Sequence, residues 1–375
     1  MFLRPLGELD GVERRYNPPP VFRPHDTYCL SRFVGIRLTP RGFIAESVLS
    51  GRSLPLDTPT AWQLLRLFAR PVCVHDLVAS CDERRRVAIL KFAERCWEYQ
   101  FLTGVNDAGR TSEDESALAH WEYTDLLFHV HSRRGRNPSP VGATYHRRGV
   151  LPPAPLFKAR NGGGEGIHLR QVDLAMVKQQ DMTLTEALET RRSSYTTRAL
   201  TLDALGEFLY RTCRVTGTEE IDGELLARKV YPSGGSLHAI EVYVIAGACE
   251  DLEPGIYAYD AVAHALHVVC GMTTDARDLL QEAQRGTGRL KELPPVLLVL
   301  SARFRRVMWK YQSIAYRLIL NEVGAIFQTM YLVATAMKLG GCAIGAGNSD
   351  CFARAIGSDY YDETSVGEFI LGGQA

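Results

Sequence analysis

The sequence predicts a two-part α+β chain, and three observations carry that reading. The segments 240–246 (IEVYVIA) and 295–300 (PVLLVL) are continuous apolar runs, the pattern of strands buried on both faces. The segments 256–259 (IYAY) and 265–269 (ALHVV) are spaced as a hairpin, so the order is mixed and not the regular βαβ alternation of a doubly wound sheet. A long helix over 313–339 is apolar nearly all round and is therefore expected at the centre of the fold.

Each element has a local cause. Thr183 and Glu186 form a capping box that opens a helix running toward Arg191. Thr201 caps a second helix with Leu202, Leu205, Phe208 and Leu209 on its inner face. Ala315, Gly324, Ala325, Ala334 and Ala336 permit close approach to the long helix, and Gly340-Gly341 are expected to cap its end. A last strand is expected at 367–371.

The N-terminal part is a different object. Alternating apolar residues over 28–36 and 42–49 suggest a small hairpin. Thr58-Pro59 suits a helix start, with Trp62, Leu65 and Phe68 on one face. Helices follow around 75–78 and 84–99, the latter with Val87, Leu90, Ala93 and Trp97 at helical spacing. This suggests a winged-helix-like module over 1–135. Pro138, Pro140, Pro152, Pro153 and Pro155, then Gly162, Gly163 and Gly164, mark a linker over 136–178. The second domain is expected over 179–375.

Composition excludes several function classes. Hydrophobic residues are 46%, charged residues 23% and the formal net charge +0, which gives no global electrostatic case for nucleic acid or a membrane surface. With no basic recognition helix either, the N-terminal module is better read as binding a peptide by strand addition. Nine scattered cysteines without a Cys-x-x-Cys pair fit neither a disulfide framework nor a zinc knuckle, and fit a reducing, cytoplasmic setting. The first residues lack the apolar core of a signal peptide. The apolar 314–339 run is interrupted by Arg317, Asn321, Glu322, Gln328 and Lys338, so a buried helix is expected rather than a membrane span. The GGGEG run at 162–166 follows no apolar strand and is no dinucleotide fingerprint, and neither a P-loop nor a G-x-S-x-G elbow occurs. His129 and His131 alternate as if on one side of an extended stretch, but no Cys/His/Asp set accompanies them.

Four short motifs could carry chemistry. Arg191, Arg192 and Ser193, with Arg198 behind them, offer forked cations and a hydroxyl suited to a phosphate, although a solvated helix end has the same look. Ser233, Gly234, Gly235 and Ser236 precede a buried strand and let backbone approach a flat ligand. Gly340, Gly341, Gly345 and Gly347 do the same after the long helix, with Ile344 among them. Lys310-Tyr311 could form an acid/base pair if one member is buried and shifted; alone, the dipeptide says little.

Taken in order, these motifs resemble the nitroreductase-like flavoproteins, and more closely the azoline dehydrogenases of the SagB/McbC type, which serve thiazole/oxazole-modified peptide biosynthesis. The resemblance rests on Arg191-Arg-Ser, on Tyr231-Pro-Ser-Gly-Gly-Ser-Leu-His-Ala-Ile-Glu, on Lys310-Tyr-x4-Tyr316-Arg-x4-Glu322-x-Gly, and on Gly340-Gly-Cys-Ala-Ile-Gly with Asp350 following. The stretch from Trp121-Glu to the histidines resembles the family's N-terminal half. The resemblance implies a nitroreductase-like FMN fold with a central antiparallel or mixed sheet and a long core helix, and FMN at a homodimer interface. It implies that Arg191, Arg192 and Ser193 hold the FMN phosphate and ribityl chain. It likewise implies that Ser233, Gly234, Gly235, Ser236, Gly341, Ile344 and Gly345 line the flavin, and that Lys310 and Tyr311 are catalytic. The partners implied are an azoline-containing precursor peptide and a cyclodehydratase complex. His238-Ala239 stands where the family resemblance leads one to expect Tyr-Pro, and no long C-terminal arm is expected. The activity implied is FMN-dependent oxidation of thiazolines or oxazolines. An NAD(P)H-dependent nitro- or quinone reductase, and a non-enzymatic leader-peptide-binding scaffold, are the competing readings.

Overall fold

The computed structural model describes residues 19–137, 139–159, 166–195, 198–221 and 223–373. Pro138 and the glycines 162–164 lie outside the described residues. The chain divides into two compact units, 1–141 and 142–375.

The first unit contains β1 (Thr27–Leu30), β2 (Val34–Thr39), β3 (Gly42–Ser47), β4 (Ser53–Pro55), α1 (Pro59–Arg66), β5 (Val72–Cys73), α2 (Val74–Val78), α3 (Glu83–Glu98), β6 (Leu102–Val105) and α4 (Tyr123–His131). β1 lies between β5 and β6, antiparallel to both, while β2, β3 and β4 form a separate antiparallel meander. The strand expected over 28–36 is therefore two strands. Phe33, fully buried, turns into a small core with Val48, Leu126 and Val130 and breaks the run. Only 34–39 pairs with 42–47. Thr58 caps α1 by accepting the Ala61 N–H. Leu65 and Phe68 are buried as expected, but Trp62 lies partly exposed with its ring edge-on to Phe43. The inner face of α3 is Ile89, Ala93 and Cys96, and Val87 points outward. His129 and His131 sit on a helix, not an extended stretch, so two-residue spacing sends them to different faces. His131 is half-buried, which depresses its pKa, while His129 packs beside the Trp121 ring.

The second unit runs β7 (Gly142–Ala143), β8 (Ile167–His168), α5 (Leu174–Gln180), α6 (Leu184–Thr190), β9 (Leu200–Thr201), α7 (Leu202–Cys213), β10 (Val215–Ile221), β11 (Glu224–Lys229), β12 (Ile240–Ala246), β13 (Cys249–Glu250), β14 (Gly255–Asp260), β15 (Ala265–Gly271), α8 (Thr274–Thr287), β16 (Val296–Arg303), α9 (Phe304–Met308), β17 (Tyr311–Gln312), α10 (Ala315–Ala336), β18 (Leu339–Ile344), α11 (Ser349–Ile356) and β19 (Glu363–Gly373). Seven strands form one sheet in the order β18-β19-β16-β12-β14-β15-β8, and every neighbouring pair is antiparallel.

Side-chain alternation explains the layering. Val242, Val244, Leu298 and Leu300 face α7 and α10, whereas Tyr243, Ile245, Leu297 and Val299 face α8 and α11. Both sheet faces are thus covered, and the central strands read as unbroken apolar runs. By length and composition α10 could cross a membrane, but Ile319, Val323, Ile326, Met330 and Ala334 pack it into the core. It is not buried all round: Tyr316 and Leu320 are 40% and 36% exposed. The end of α10 also differs from expectation. Met337 closes the helix and Lys338 takes the left-handed conformation, φ 54°, so Gly340 and Gly341 already belong to β18.

Much of the stretch expected as a linker is strapped onto this unit. β7 pairs with β17. The prolines at 152, 153 and 155 have no N–H to offer a ladder. Side chains satisfy the carbonyls instead: Trp309 Nε1 donates to Leu151, Arg306 to Ala154, and Arg303 to Pro155 and Leu156.

Candidate active site

Two clusters assemble at the two ends of α10. The first is built on the turn between β11 and β12. Ser233 Oγ donates to Glu322 Oε2 at 2.8 Å and accepts the His238 N–H at 3.1 Å, which ties the turn to α10. Glu322 and His238 are both buried, and His238 Nδ1 lies 3.6 Å from Glu322 Oε1. Neither of those two atoms has a hydrogen-bond partner among the described residues. A cavity of about 260 Å³ has His238 in its wall, together with Lys158, Glu241 and Asp260.

Glycine at 235 has two causes. Its φ is 65°, and a Cβ there would lie 2.5 Å from the Tyr311 hydroxyl. A Cβ at Gly234 would meet the Leu318 side chain at 3.0–3.3 Å, tighter than ordinary contact. Ser236 also takes a positive φ, 55°. The 233–236 turn and Tyr311, distant in sequence, are therefore one site. Lys310, next to Tyr311 in the chain, is held by other groups. Its Nζ is 2.8 Å from Glu224 Oε2 on β11 and 5.2 Å from the Tyr145 ring centroid. Arg148 covers Tyr145 at 4.2 Å and approaches Glu224 at 3.6 Å. Partial burial opposes charge on Lys310, but hydrogen bonds to Glu224 and Tyr145 outweigh it and hold the ammonium above the ordinary lysine range.

The second cluster joins the arginine motif to β18. The Arg191 guanidinium lies 5.1 Å over the Tyr331 ring, and Ser193 Oγ shares a 3.1 Å hydrogen bond with the Tyr331 hydroxyl. That hydroxyl accepts the Ala343 N–H, and Ser194 N–H donates to Gly341 O. Arg192 is exposed, and among the described residues it donates to the carbonyls of Glu189 and Arg191. Arg198 bridges by backbone to Gly373. Gly341 and Ile344 face inward: a Cβ at 341 would meet Phe369 at 2.6 Å, and Ile344 packs in the core beneath α8 and α11. Either could reach a ligand only through its backbone. Gly345 opens to free space, whereas Gly347 lies against the Glu368 carboxyl. Burial raises Glu368 to about 7, against hydrogen bonds from Ser365 and the Gly347 N–H.

The structure thus joins the 233–236 turn to Tyr311 at Gly235, with Lys310 next in the chain but held by Glu224 and Tyr145, and joins Arg191 and Ser193 to β18 through Tyr331 and Ser194. It does not join the two clusters within one chain: Leu318 and Tyr331, which mark them, are separated by about 20 Å of helix axis. Sequence reasoning missed Glu224, Tyr145 and Tyr331. Glu322, a carboxylate in an apolar helix, was the one such signal available.

Residues 188–373 match the nitroreductase family, and residues 28–138 match the family described as cyanobactin oxidase ThcOx. A Methanocaldococcus jannaschii protein bearing the nitroreductase name is 26% identical over 191 residues, 49% of this chain and 86% of that protein. The microcin B17-processing protein McbC of Escherichia coli is 31% identical over 116 residues, 30% of this chain and 42% of McbC. The trifolitoxin-processing protein TfxB of Rhizobium leguminosarum is 32% identical over 145 residues, 37% of this chain and 38% of TfxB. The chain therefore spans less than half the length of those two processing proteins. Among solved structures, the E. coli microcin synthetase McbBCD complex with truncated pro-MccB17 aligns with a TM-score of 0.42 at 20% identity, covering 62% of this chain and 91% of that one. Residues 188–373 therefore form a nitroreductase-family oxidoreductase domain, and the matches to cyanobactin oxidase ThcOx, McbC and TfxB make the chain similar to the SagB/McbC-type group.

Proposed function

We propose that this protein is an FMN-dependent dehydrogenase that oxidises thiazolines or oxazolines of a ribosomally made peptide to thiazoles or oxazoles. The observation that carries the reading is the seat of Lys310 and Tyr311: Tyr311 abuts the Gly235 turn and pairs in the β7–β17 ladder, and Lys310 beside it is held by Glu224. Aromatising the ring removes two electrons and two protons, as a hydride and a proton. FMN, when bound, supplies the hydride acceptor.

The residues present fit that cofactor. Arg191, Arg192 and Ser193 put two guanidinia and a hydroxyl at an accessible helix end, a donor set matched to a phosphate. Gly345 opens to free space and leaves room for a flat ring, and Ser233, Gly234, Gly235, Ser236 and the backbone of Gly341 and Ile344 would complete its lining. Lys310 and Tyr311 stand beside that lining as the groups that orient the azoline and handle its proton.

The chain would act as a homodimer. The half-exposed apolar residues near the start of α10, Tyr316 and Leu320, are the face a second copy would cover. The first unit, read as winged-helix-like, would engage the precursor peptide along a free sheet edge, within or beside a cyclodehydratase complex. All nine cysteines are free thiols, which supports a cytoplasmic setting.

The test is the visible spectrum of the purified protein and its response under anaerobic conditions. A yellow protein that releases FMN on denaturation, and whose flavin bleaches with an azoline peptide, supports the reading. Bleaching by NADPH and not by the peptide would favour a nitro- or quinone reductase, and a colourless protein that binds leader peptide would favour a scaffold.

A further inference from the structure

We infer that Glu224 is a positioning residue that fixes Lys310 as a charged donor, so that Lys310 is not the base of the reaction. The inference rests on the proposed catalytic place of Lys310, and its first test is independent of that activity.

Glu224 begins β11 and arrives from a hairpin 86 residues before Lys310. Its Oε2 pairs with Lys310 Nζ at 2.8 Å, and the lysine side chain is only 13% exposed. An ion pair with so little water around it favours the charged partner and restricts its rotamers. Every other group facing Lys310 fits that arrangement. Tyr145 presents its ring to the ammonium at 5.2 Å and a hydroxyl to bond with it. Arg148 lies 3.6 Å from the other Glu224 oxygen and 4.2 Å over Tyr145. Arg306, from α9, interacts electrostatically with Glu224 and donates to Leu225 O next to it. Tyr311 adjoins Lys310 in the chain but directs its hydroxyl to Gly235 instead. Lys310 thus has one anion and one ring around it, and Arg148 approaches that anion through its other oxygen. A free amine would have to form by breaking the Glu224 pair. The ammonium instead offers a fixed positive charge and N–H donors to the substrate, and the proton removed from the ring must go elsewhere.

The experiment is competitive acetylation of the full-length protein with trace acetic anhydride across a pH series. Labelling of Lys310 is read by peptide mass spectrometry against an exposed lysine. In the wild type, Lys310 should gain reactivity only above the pH at which the exposed lysine does. In Glu224→Gln its labelling midpoint should move to lower pH, and Lys310 should become about tenfold more reactive at a given alkaline pH if the midpoint falls by a full pH unit. Glu224→Asp should restore part of the wild-type profile. Tyr145→Phe, which keeps the ring, should move the midpoint the same way by less, and it serves if Glu224→Gln is unstable. An unchanged Lys310 profile in both variants overturns the inference. In the oxidation assay, Glu224→Gln should lower kcat more than it raises KM and move the alkaline limb of the rate to lower pH, with the flavin spectrum unaltered. A changed labelling profile in a protein that oxidises no azoline would leave the positioning role standing and remove the proposed function.

Discussion

Replacing Gly235 by alanine tests the core of the site, because one methyl group meets two constraints there. The backbone at 235 sits at φ 65°, where a Cβ costs about 1–2 kcal/mol. For a unit of this size that corresponds to a Tm about 2–8 °C lower. The second constraint bears on chemistry. The new Cβ would lie 2.5 Å from the Tyr311 hydroxyl, so the phenol must withdraw by about 1 Å to reach ordinary contact. A displacement of that size in a catalytic group can cost about 100-fold in rate. Gly235→Ala should therefore retain flavin and fold, melt a few degrees lower, and oxidise an azoline peptide about 100-fold more slowly. The control is Gly234→Ala, whose backbone is not left-handed and whose nearest Cβ contacts are atoms of the movable Leu318 side chain at 3.0–3.3 Å. Thermal melts and steady-state turnover on the two variants decide the matter. A Gly235→Ala enzyme as stable and as active as Gly234→Ala would refute the placement of Tyr311 against the turn.

Other consequences follow from the same geometry. Glu322→Ala strips the Ser233 hydroxyl of its acceptor in a buried place and should cost about 1–3 kcal/mol in urea unfolding, whereas Glu322→Gln, which keeps an acceptor oxygen, should cost less. Glu368 has a folded pKa of about 7 against an ordinary 4.5, so the folded state binds the extra proton between those values. The stability it contributes is present below about pH 4.5 and is lost as pH rises through 7, about 3 kcal/mol in all. Glu368→Gln should flatten that slope in pH-dependent denaturation curves. Arg191→Ala with Arg192→Ala should lower flavin occupancy after gel filtration by tenfold or more while the melting curve of the apoprotein moves little. Full occupancy in that double variant would remove the arginines from the cofactor site.

What the sequence revealed, and what it hid, follows from the range of each interaction. The 240–246 strand was legible because both sheet faces are covered, which forces an unbroken apolar run. The Thr183 capping box was legible because all its atoms lie within four residues. The grouping of Lys310 with the 233–236 turn entered only through resemblance to relatives, since the contact of Gly235 with Tyr311 is non-local. Glu224 and Tyr145 left no mark at all: one opens a hairpin strand and the other sits in a proline-rich stretch, and neither residue type is unusual there. The helix end at Lys338 was misplaced because the glycines two and three residues later are better formers of a left-handed cap. The His129–His131 stretch was misread because two histidines flanking a valine mimic strand alternation, while the packing of Leu126 and Val130, four apart, is helical.

The most direct measurement is the mass of an azoline-bearing precursor peptide after incubation with the purified, flavin-loaded protein. The expected result is a product lighter by two hydrogen atoms for each ring oxidised, formed by the wild type and lost when Lys310 and Tyr311 are both replaced in a protein that stays yellow. An unchanged peptide mass with the yellow wild type, alone or with the proposed cyclodehydratase partner, or undiminished turnover in the double variant, would contradict the account.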